Sequence, residues 1–314
     1  MSADVLVITG PTATGKTRLG VSLARAYGGE VVSVDSMQVY RQMDIGTAKP
    51  TLQEMDGVPH HMIDVADPSE DYSVARYVEQ ASACVDDILS RNKLPVLVGG
   101  TGLYLDALLA GRSFAARAED PALRADLERR AAAEGGEALL SDLAKVDPES
   151  AARLHPNDVK RIVRALEVYS VTGIPLSVHH EASRRVPPRY AACQLALSFA
   201  AREDLYARIN QRVDEMISSG LVEEVQGLLS RGLSPRATSM QAIGYKELCA
   251  AIAGEMPLAD AVSEIKLRSR QYAKRQITWL RRKTDLNWIL WGAQPDFEQA
   301  LHISTHSMKA SGLL

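Results

Sequence analysis

Short apolar runs alternate with longer segments of helical spacing in the first third of the chain. Three of these runs have the pattern of buried parallel strands, namely Val5–Thr9, Glu30–Val34 and Pro95–Val98. Lys16–Tyr27 and Tyr72–Ser90 lie between the runs and repeat their apolar residues with the spacing of amphipathic helices. This alternation predicts an α/β fold, in which a parallel sheet is flanked by helices.

After residue 111 the pattern changes to helices and loops without a convincing strand. Pro121–Glu134 and Asp158–Val171 are the clearest helical segments in this part of the chain. The simplest account is a helical insertion in an α/β core. We therefore predict an insertion over residues 112–189, inside a core made of residues 1–111 and 190–291.

The remainder of the chain returns to the pattern of the core. A strand is predicted at Gln194–Ser198 and a last strand at Asn287–Trp291. Four long helices are predicted between these strands, at Arg202–Ser218, Leu221–Arg231, Ile243–Ala253 and Leu258–Lys283. The tail, residues 292–314, lacks a pattern, and we expect it to be partly disordered.

Composition places the chain among ordinary globular proteins, since 46% of its 314 residues are hydrophobic and 24% are charged. No apolar run reaches the length of a membrane span, and Met1–Val7 lacks the basic region of a secretory signal. Three cysteines, Cys84, Cys193 and Cys249, are far apart and have no metal-binding spacing. We therefore expect a cytoplasmic protein with no membrane association.

The net charge of −3 hides an asymmetry along the chain. Residues 1–111 carry eight basic and 14 acidic side chains, whereas residues 112–314 carry 28 basic and 25 acidic ones. Ile265–Lys283 is the most basic stretch, with eight Lys or Arg residues and no acid. A polyanionic partner is therefore expected to contact the second part of the chain.

One motif points to a phosphate-binding loop. It follows the first predicted strand, precedes a helix and fits G-x-x-x-x-G-K-[ST] with Gly10, Pro11, Thr12, Ala13, Thr14, Gly15, Lys16 and Thr17. Backbone N–H groups of such a loop surround phosphate oxygens, Lys16 supplies a positive charge, and the Thr17 hydroxyl is a candidate ligand of Mg²⁺. The motif predicts a P-loop NTPase-like core and a diphosphate-bearing ligand.

The acidic residue that usually follows a later strand in ATPases of this class is missing. Val96–Val98 continues into Gly99 and Gly100 rather than into an aspartate that could hold Mg²⁺. No segment stands out as a lid for transfer of a γ-phosphate. The loop is therefore expected to hold a departing diphosphate rather than to hydrolyse a nucleoside triphosphate.

Other candidate side chains follow the second and third predicted strands, whose carboxyl ends share one edge of a parallel sheet. Asp35 could act as a general base, as a partner of Mg²⁺ or as a helix cap. Thr101 could donate a hydrogen bond to phosphate or substrate, or could only form a turn. His60 and His61 are adjacent, so their side chains diverge, and a structural role is favoured over metal binding.

The motifs in this order resemble those of the tRNA dimethylallyltransferases, also called tRNA isopentenyltransferases. The similarity runs from Val5 to about Lys283. It rests on eight segments, Gly10–Thr17, Asp35–Tyr40, Ile45–Pro50, Pro59–Val65, Gly99–Tyr104, His155–Glu167, Gln241–Glu247 and Tyr272–Arg282. The first segment alone is common to many enzymes, whereas the ordered set is specific.

The resemblance implies transfer of a dimethylallyl group from dimethylallyl diphosphate to the exocyclic N6 amine of the adenosine 3′ of the anticodon, with Mg²⁺. It implies that Gly10–Thr17 bind the diphosphate, that Asp35, Thr101 and Lys16 are catalytic, and that the insertion binds the anticodon stem-loop. The residues it assigns to tRNA binding are Asp35, Ser36, Met37, Gln38, Thr101, Arg124, Lys160, Arg161, Ile162, Val163, Arg164, Gln241, Ala242, Ile243, Gly244, Tyr245 and Lys246.

The residues fit this chemistry, because an allylic diphosphate ionises readily once its leaving group is stabilised. The adenine amine is a poor nucleophile, so a carboxylate such as Asp35 is useful as its base. Three alternatives stay open: a small-molecule kinase, an isopentenyltransferase that modifies free AMP, and a P-loop protein that binds RNA without chemistry. We expect a monomer.

Overall fold

The computed structural model describes residues 3–111, 120–185 and 187–314. The chain divides into two compact units, one formed by Met1–Leu109 with Tyr190–Leu314 and the other by Ala110–Arg189. The second unit corresponds to the predicted insertion, although residue 112, where the insertion was expected to begin, lies outside the described residues.

The first unit contains a parallel sheet, which confirms the predicted fold class. Six strands belong to it among the described residues: β1 (Val5–Thr9), β2 (Glu30–Val34), β3 (His60–His61), β4 (Pro95–Gly99), β5 (Ala192–Phe199) and β6 (Asn287–Trp291). Their order is β3-β2-β4-β1-β5-β6, and every pairing is parallel. The carboxyl ends of all six strands therefore share one edge, where ligands bind in sheets of this kind.

Helices fill the intervals between the strands. In chain order they are α1 (Lys16–Ala26), α2 (Leu52–Met55), α3 (Val74–Ser90), α4 (Gly102–Ala110), α5 (Pro121–Glu134), α6 (Gly136–Val146), α7 (Pro148–Ala151), α8 (Val159–Thr172), α9 (Leu176–Arg185), α10 (Arg202–Ser218), α11 (Leu221–Ser230), α12 (Tyr245–Ile252), α13 (Leu258–Leu280) and α14 (Phe297–Ala310). Several begin at side-chain caps; the Ser73 hydroxyl, for example, accepts the Arg76 N–H at the start of α3. Among the described residues, no helix is both long and apolar enough to cross a membrane.

Burial in the centre of the sheet explains why the sequence of β1 is almost entirely apolar. β1 is hydrogen-bonded on both sides, to β4 and β5, and all five of its residues are buried. Leu6, Ile8, Leu195 and Leu197 from these strands join one hydrophobic core with residues of α1 and α14. This core fixes the strand ends from which the candidate site is built.

The second unit has a hydrophobic core of its own. Leu127 from α5, Leu139 and Leu143 from α6, and Ile162 and Leu166 from α8 pack together in it. α5 begins at Asp120, whose carboxylate accepts the Ala122 and Leu123 N–H groups, followed by a proline in the first turn.

The expectation of disorder in the tail, residues 292–314, is wrong. Phe297–Ala310 forms a helix that begins at Asp296, whose carboxylate accepts the Gln299 N–H. Its buried residues, Ala300, Ser304 and Met308, recur every fourth position and include only one large apolar side chain. The helical face was missed because two small residues, rather than a row of large ones, form most of it.

Candidate active site

The loop Gly10–Thr17 connects β1 to α1 and has the conformation that its glycines allow. Gly10 has a φ angle of +148°, and a Cβ atom added there would lie 2.4 Å from the carbonyl oxygen of Leu197. Gly15 has a φ angle of +81°, and its added Cβ would lie 2.8 Å from the Phe297 ring. Only glycine fits both positions without strain, because other residues rarely adopt these angles and would clash.

Hydrogen bonds within the loop and from two distant elements hold it in this shape. The Thr12 N–H donates to the Gln276 side-chain oxygen at 3.1 Å, and the Thr14 hydroxyl donates to the Pro11 carbonyl at 2.8 Å. The indole N–H of Trp291 donates to the Thr14 carbonyl at 2.9 Å. The loop is therefore fixed by its own residues and by side chains from α13 and β6, before any ligand is considered.

Two cationic side chains stand at this loop. The Lys16 ammonium donates to the Pro11 carbonyl at 2.7 Å, and the Arg212 guanidinium of α10 lies 3.4 Å from the Thr12 hydroxyl oxygen. Burial, together with the positive charge of Arg212, lowers the pKa of Lys16 to about 7, against the opposing effect of Asp35. Burial likewise lowers the pKa of Arg212. An anion bound here would favour the charged lysine, so the loop is suited to a polyphosphate.

Arg212 was not among the residues predicted from the sequence. It lies in the middle of α10, nearly 200 residues after the loop, and nothing in its immediate neighbourhood marks it. Its function could be inferred only after the fold had brought α10 to the end of β1.

Asp35 follows β2, and its two carboxylate oxygens differ. Oδ1 accepts the backbone N–H groups of Met37 at 2.8 Å and Gln38 at 3.3 Å. No hydrogen bond reaches Oδ2 within the part of the chain that the structure describes. The carboxylate is close enough to raise the pKa of Lys16. Asp35 thus caps the following turn with one oxygen and leaves the other available for chemistry.

Thr101 follows β4 and connects the acceptor side of the site to α13. Its hydroxyl oxygen accepts the Ser36 N–H at 3.2 Å, and the Tyr272 side chain lies near it. Burial and the nearby Asp35 carboxylate raise the pKa of Tyr272 to about 12, although the Thr101 hydroxyl opposes this shift. Tyr272 therefore keeps its proton at neutral pH, and it is a site residue that the sequence did not single out.

The side chain of Gln38 is hydrogen-bonded to the loop Ile45–Pro50. Its side-chain oxygen accepts the Ser33 hydroxyl at 2.9 Å, and its amide nitrogen donates to the Thr47 and Ala48 carbonyls at 3.3 and 3.2 Å. Ser36 and Met37, beside it, are partly buried. The side chain of Gln38 thus shapes the wall of the site.

The segment Gln241–Lys246 stabilises the loop Ile45–Pro50 through a hydrogen bond to Glu224. The buried Tyr245 donates its hydroxyl proton to Glu224, whose carboxylate also accepts the N–H groups of three residues, Asp44, Ile45 and Gly46. Ala242 and Gly244 are buried, and Ile243 is partly buried. Gln241 and Lys246 are exposed at the two ends of the segment and are the side chains that a large substrate could contact.

The predicted tRNA-binding residues of the insertion fall into two groups. Lys160 and Arg161 are exposed at the start of α8, whereas the next two side chains, Ile162 and Val163, are buried in the core of the insertion. Arg124 and Arg164 both form ion pairs with the Glu167 carboxylate, at 3.0 and 2.8 Å. These two arginines therefore contribute to the structure of the insertion, in addition to any contact with RNA.

The basic helix α13 uses part of its charge internally. Lys266 pairs with Asp214 at 2.6 Å and Arg270 donates to Asn210 at 2.6 Å, so two of its cations are directed at α10. Exposed cations remain further along, at Lys274, Arg275, Arg281 and Arg282. The opposite face carries Tyr272, Gln276 and Trp279, which contact the site and α4.

A dedicated metal cluster is not found among the described residues, where no three His, Cys, Asp or Glu side chains come together. His60 Nδ1 lies 2.8 Å from the Val58 carbonyl, and His61 Nε2 lies 2.8 Å from a Glu30 carboxylate oxygen. These contacts agree with a structural role for both histidines. Oxygen atoms suited to a hard cation are found instead at the start of α1, on Thr17, and at Asp35.

Comparison with known proteins connects this geometry to a family. Residues 38–283 match the model of the IPP transferase family, and residues 3–70 match the isopentenyl transferase model. The tRNA dimethylallyltransferase of Geobacter sulfurreducens is 49% identical over 308 residues, which cover 98% of this chain and 97% of the relative.

Solved structures of related enzymes have the same fold. The full-length tRNA isopentenylpyrophosphate transferase of Bacillus halodurans has a TM-score of 0.73 and 41% identity, with 99% of this chain and 98% of the other covered. A eukaryotic dimethylallyltransferase that acts on tRNA has a TM-score of 0.82 and 31% identity, with 98% and 80% covered. These findings confirm the resemblance inferred from the motifs, and the chain belongs to the IPP transferase family.

Proposed function

We propose that this protein transfers the dimethylallyl group of dimethylallyl diphosphate to the exocyclic N6 amine of the adenosine 3′ of the anticodon in tRNA. The observation that carries the proposal is the pairing of two features at one sheet edge. A cationic phosphate loop, with Lys16 and Arg212, lies close to Asp35, which has an unbonded carboxylate oxygen. An anionic leaving group and a proton acceptor are what this transfer requires.

At the donor end, the loop Gly10–Thr17 would hold the diphosphate. Backbone N–H groups of the loop and the start of α1 would face the phosphate oxygens, and Lys16 and Arg212 would add positive charge. As the bond between the allylic carbon and the oxygen breaks, its electron pair leaves with the diphosphate. These groups stabilise the charge that develops on that leaving group.

Mg²⁺ fits the donor end because the nearby donors are hard oxygen atoms. The Thr17 hydroxyl makes no hydrogen bond within the described residues, and the other oxygens would come from the diphosphate and water. When bound, Mg²⁺ would neutralise part of the charge of the diphosphate.

At the acceptor end, Asp35 would take a proton from the adenine N6 amine as nitrogen bonds to the allylic carbon. Its Oδ2 atom has the free lone pairs for this task, while Oδ1 keeps the carboxylate in place. Thr101 and Tyr272 lie near each other and near Asp35, and their hydroxyl groups would orient the adenine. The proton passes from Asp35 to water after the product leaves.

The tRNA would be bound largely through its phosphates. Lys160 and Arg161 are exposed on the insertion, and Lys274, Arg281 and Arg282 are exposed on α13. Each phosphate contact adds affinity that depends on salt. We propose that the protein acts as a monomer in the cytoplasm.

The test compares tRNA with free AMP as the acceptor of the dimethylallyl group. The purified protein is incubated with Mg²⁺ and dimethylallyl diphosphate, together with either unmodified tRNA or free AMP, and the nucleosides are analysed by mass. The proposal predicts one dimethylallyl group on an adenosine of tRNA and none on AMP. Modified AMP would identify the smaller-acceptor enzyme. Phosphate transfer in a parallel incubation with labelled ATP would identify a kinase, and tRNA that gains no group in any incubation would leave only an RNA-binding protein.

A further inference from the structure

Gln276 joins the two ends of the site through its side-chain amide. It lies on α13 and is only 7% exposed. Its oxygen accepts the N–H of Thr12 at 3.1 Å, and its nitrogen donates to the carbonyl of Gly100 at 2.9 Å. Thr12 belongs to the phosphate loop and Gly100 precedes Thr101. One side chain therefore contacts both the donor and the acceptor end.

The chemistry of this position allows little variation. The N–H of Thr12 needs an acceptor and the carbonyl of Gly100 needs a donor, and a buried amide supplies both from one planar group. These partners also fix which atom of the amide is oxygen. Glutamate has the same shape but would place a carboxylate oxygen against the Gly100 carbonyl.

Gly100 is closely packed against both Gln276 and the phosphate loop. A Cβ atom added to Gly100 would lie 2.3 Å from the Gln276 amide nitrogen and 3.1 Å from the Gly10 carbonyl oxygen. The end of β4 thus lies directly against the phosphate loop and α13. Interiors packed this closely transmit displacement from one side to the other.

Neighbouring residues on the same face of α13 extend this connection. Tyr272, one turn before Gln276, lies near Thr101, whose hydroxyl acts to lower the pKa of Tyr272. Trp279, about one turn after it, donates its indole N–H to Asp106 of α4 at 2.8 Å. α13 therefore lies along the whole segment that follows β4, and Gln276 is the residue from which that face reaches the phosphate loop.

We propose that Gln276 is a positioning residue that aligns the phosphate loop with the acceptor residues around Thr101. The proposal rests on the function proposed above and adds a residue that neither binds the diphosphate nor exchanges a proton. Loss of the amide leaves each substrate able to bind but lets the two ends of the site move relative to each other. A displacement of about 1 Å between reacting groups can lower a rate on the order of 100-fold.

The kinetic test uses two variants and a matched control. Gln276→Glu keeps the shape of the side chain and the acceptor for Thr12 but loses the donor for Gly100. Gln276→Met keeps the length and loses both hydrogen bonds. Gln271→Glu makes the same chemical change at an exposed position of the same helix. Single-turnover rates at saturating tRNA and dimethylallyl diphosphate are compared with the affinities for tRNA and for inorganic diphosphate.

We expect the rate of both Gln276 variants to fall roughly 10- to 100-fold, with each affinity changed less than about threefold. The control should keep the wild-type rate. A merely structural role predicts instead a rate loss that follows the loss of folded protein and disappears at lower temperature. A wild-type rate in Gln276→Glu would overturn the proposal.

A second readout separates this inference from the proposed function and does not require activity or folded variants. Hydrogen exchange is measured on the wild-type protein with Mg²⁺, with and without inorganic diphosphate. Coupling predicts slower exchange both in the loop Gly10–Thr17 and in the segment Thr101–Tyr104. Protection confined to the loop would overturn the coupling, even if the protein modifies tRNA as proposed. Protection of both segments in a protein that does not modify tRNA would support the coupling while refuting the proposed function.

Discussion

Replacement of Asp35 by asparagine separates the roles that this residue could have. In the structure Oδ1 accepts the N–H groups of Met37 and Gln38, and the asparagine oxygen can accept both in the same way. The Oδ2 atom, which has no hydrogen bond among the described residues, is replaced by an amide nitrogen that cannot take a proton. The variant therefore keeps the cap and loses the base.

The expected magnitude follows from these contacts. Asparagine and aspartate are nearly equal as caps, so the free energy of unfolding should change by only a few tenths of a kcal/mol. Loss of the base should lower the chemical step on the order of 10²–10⁴-fold. Two effects on the affinity for diphosphate oppose each other. Removal of a negative charge favours an anion, whereas Lys16 loses a neighbour that raises its pKa.

The assay is a single-turnover measurement of Asp35→Asn over a series of Mg²⁺ concentrations. Asp260→Asn, which changes an exposed aspartate in the first turn of α13, is the matched control and should retain the wild-type rate. Recovery of Asp35→Asn at high Mg²⁺ would identify Asp35 as mainly a metal partner. A near-normal rate at low Mg²⁺ would refute the general-base role and leave only the cap.

Three further predictions concern other parts of the structure. Lys16→Ala should lower the transfer rate on the order of 10²–10³-fold, because a charged contact to the leaving group is lost, and an unchanged single-turnover rate at saturating Mg²⁺ would contradict this role. Trp291→Phe removes the N–H that reaches the Thr14 carbonyl, so calorimetry should show a lower free energy of unfolding, by about 1–3 kcal/mol, and weaker binding of inorganic diphosphate. Trp288→Phe, in the same strand and only partly buried, should change neither quantity. Burial acts to raise the pKa of Glu167, but hydrogen bonds from its arginine partners lower it overall, so its contribution to stability is complete above the usual glutamate range and is lost as the pH falls. Glu167→Gln should therefore unfold at lower temperature at neutral pH, with the difference from wild type shrinking in acid; a constant difference would contradict the assignment.

The features that could be predicted from the sequence are those with local causes. The loop Gly10–Thr17 is recognisable because its glycines are required by backbone angles and close contacts within a few residues. The strands β1 and β4 are recognisable because strands buried on both faces are predominantly apolar. Asp35 and Thr101 could be placed near the loop because the carboxyl ends of parallel strands share one edge.

The features that were missed depend on contacts between distant parts of the chain. Arg212, Tyr272 and Gln276 come from long helices, and the loop partner of Gln276 lies 264 residues away from it. No motif surrounds Arg212, whereas Tyr272 and Gln276 lie in the motif segment Tyr272–Arg282, which gives neither of them an individual role. α14 was missed for a different reason, since the small residues Ala300 and Ser304 form most of its buried face.

The family motifs identified residues without distinguishing those that bind tRNA from those that stabilise the fold. Arg124 and Arg164 were assigned to tRNA, and the structure also pairs both with the fully buried Glu167. Tyr245 was assigned likewise, and it is buried with its hydroxyl bonded to Glu224. A motif preserves structural and functional residues alike, and only the contacts of each side chain distinguish the two.

The most direct test of the central claim is the stoichiometry of one reaction. The protein is incubated with Mg²⁺, unmodified tRNA and dimethylallyl diphosphate labelled in the allylic group, and both products are counted over time. Our account predicts one diphosphate released for each adenosine that gains the label, with no release when tRNA is omitted. Release of diphosphate without label on the adenosine, or label on any other acceptor, would contradict it.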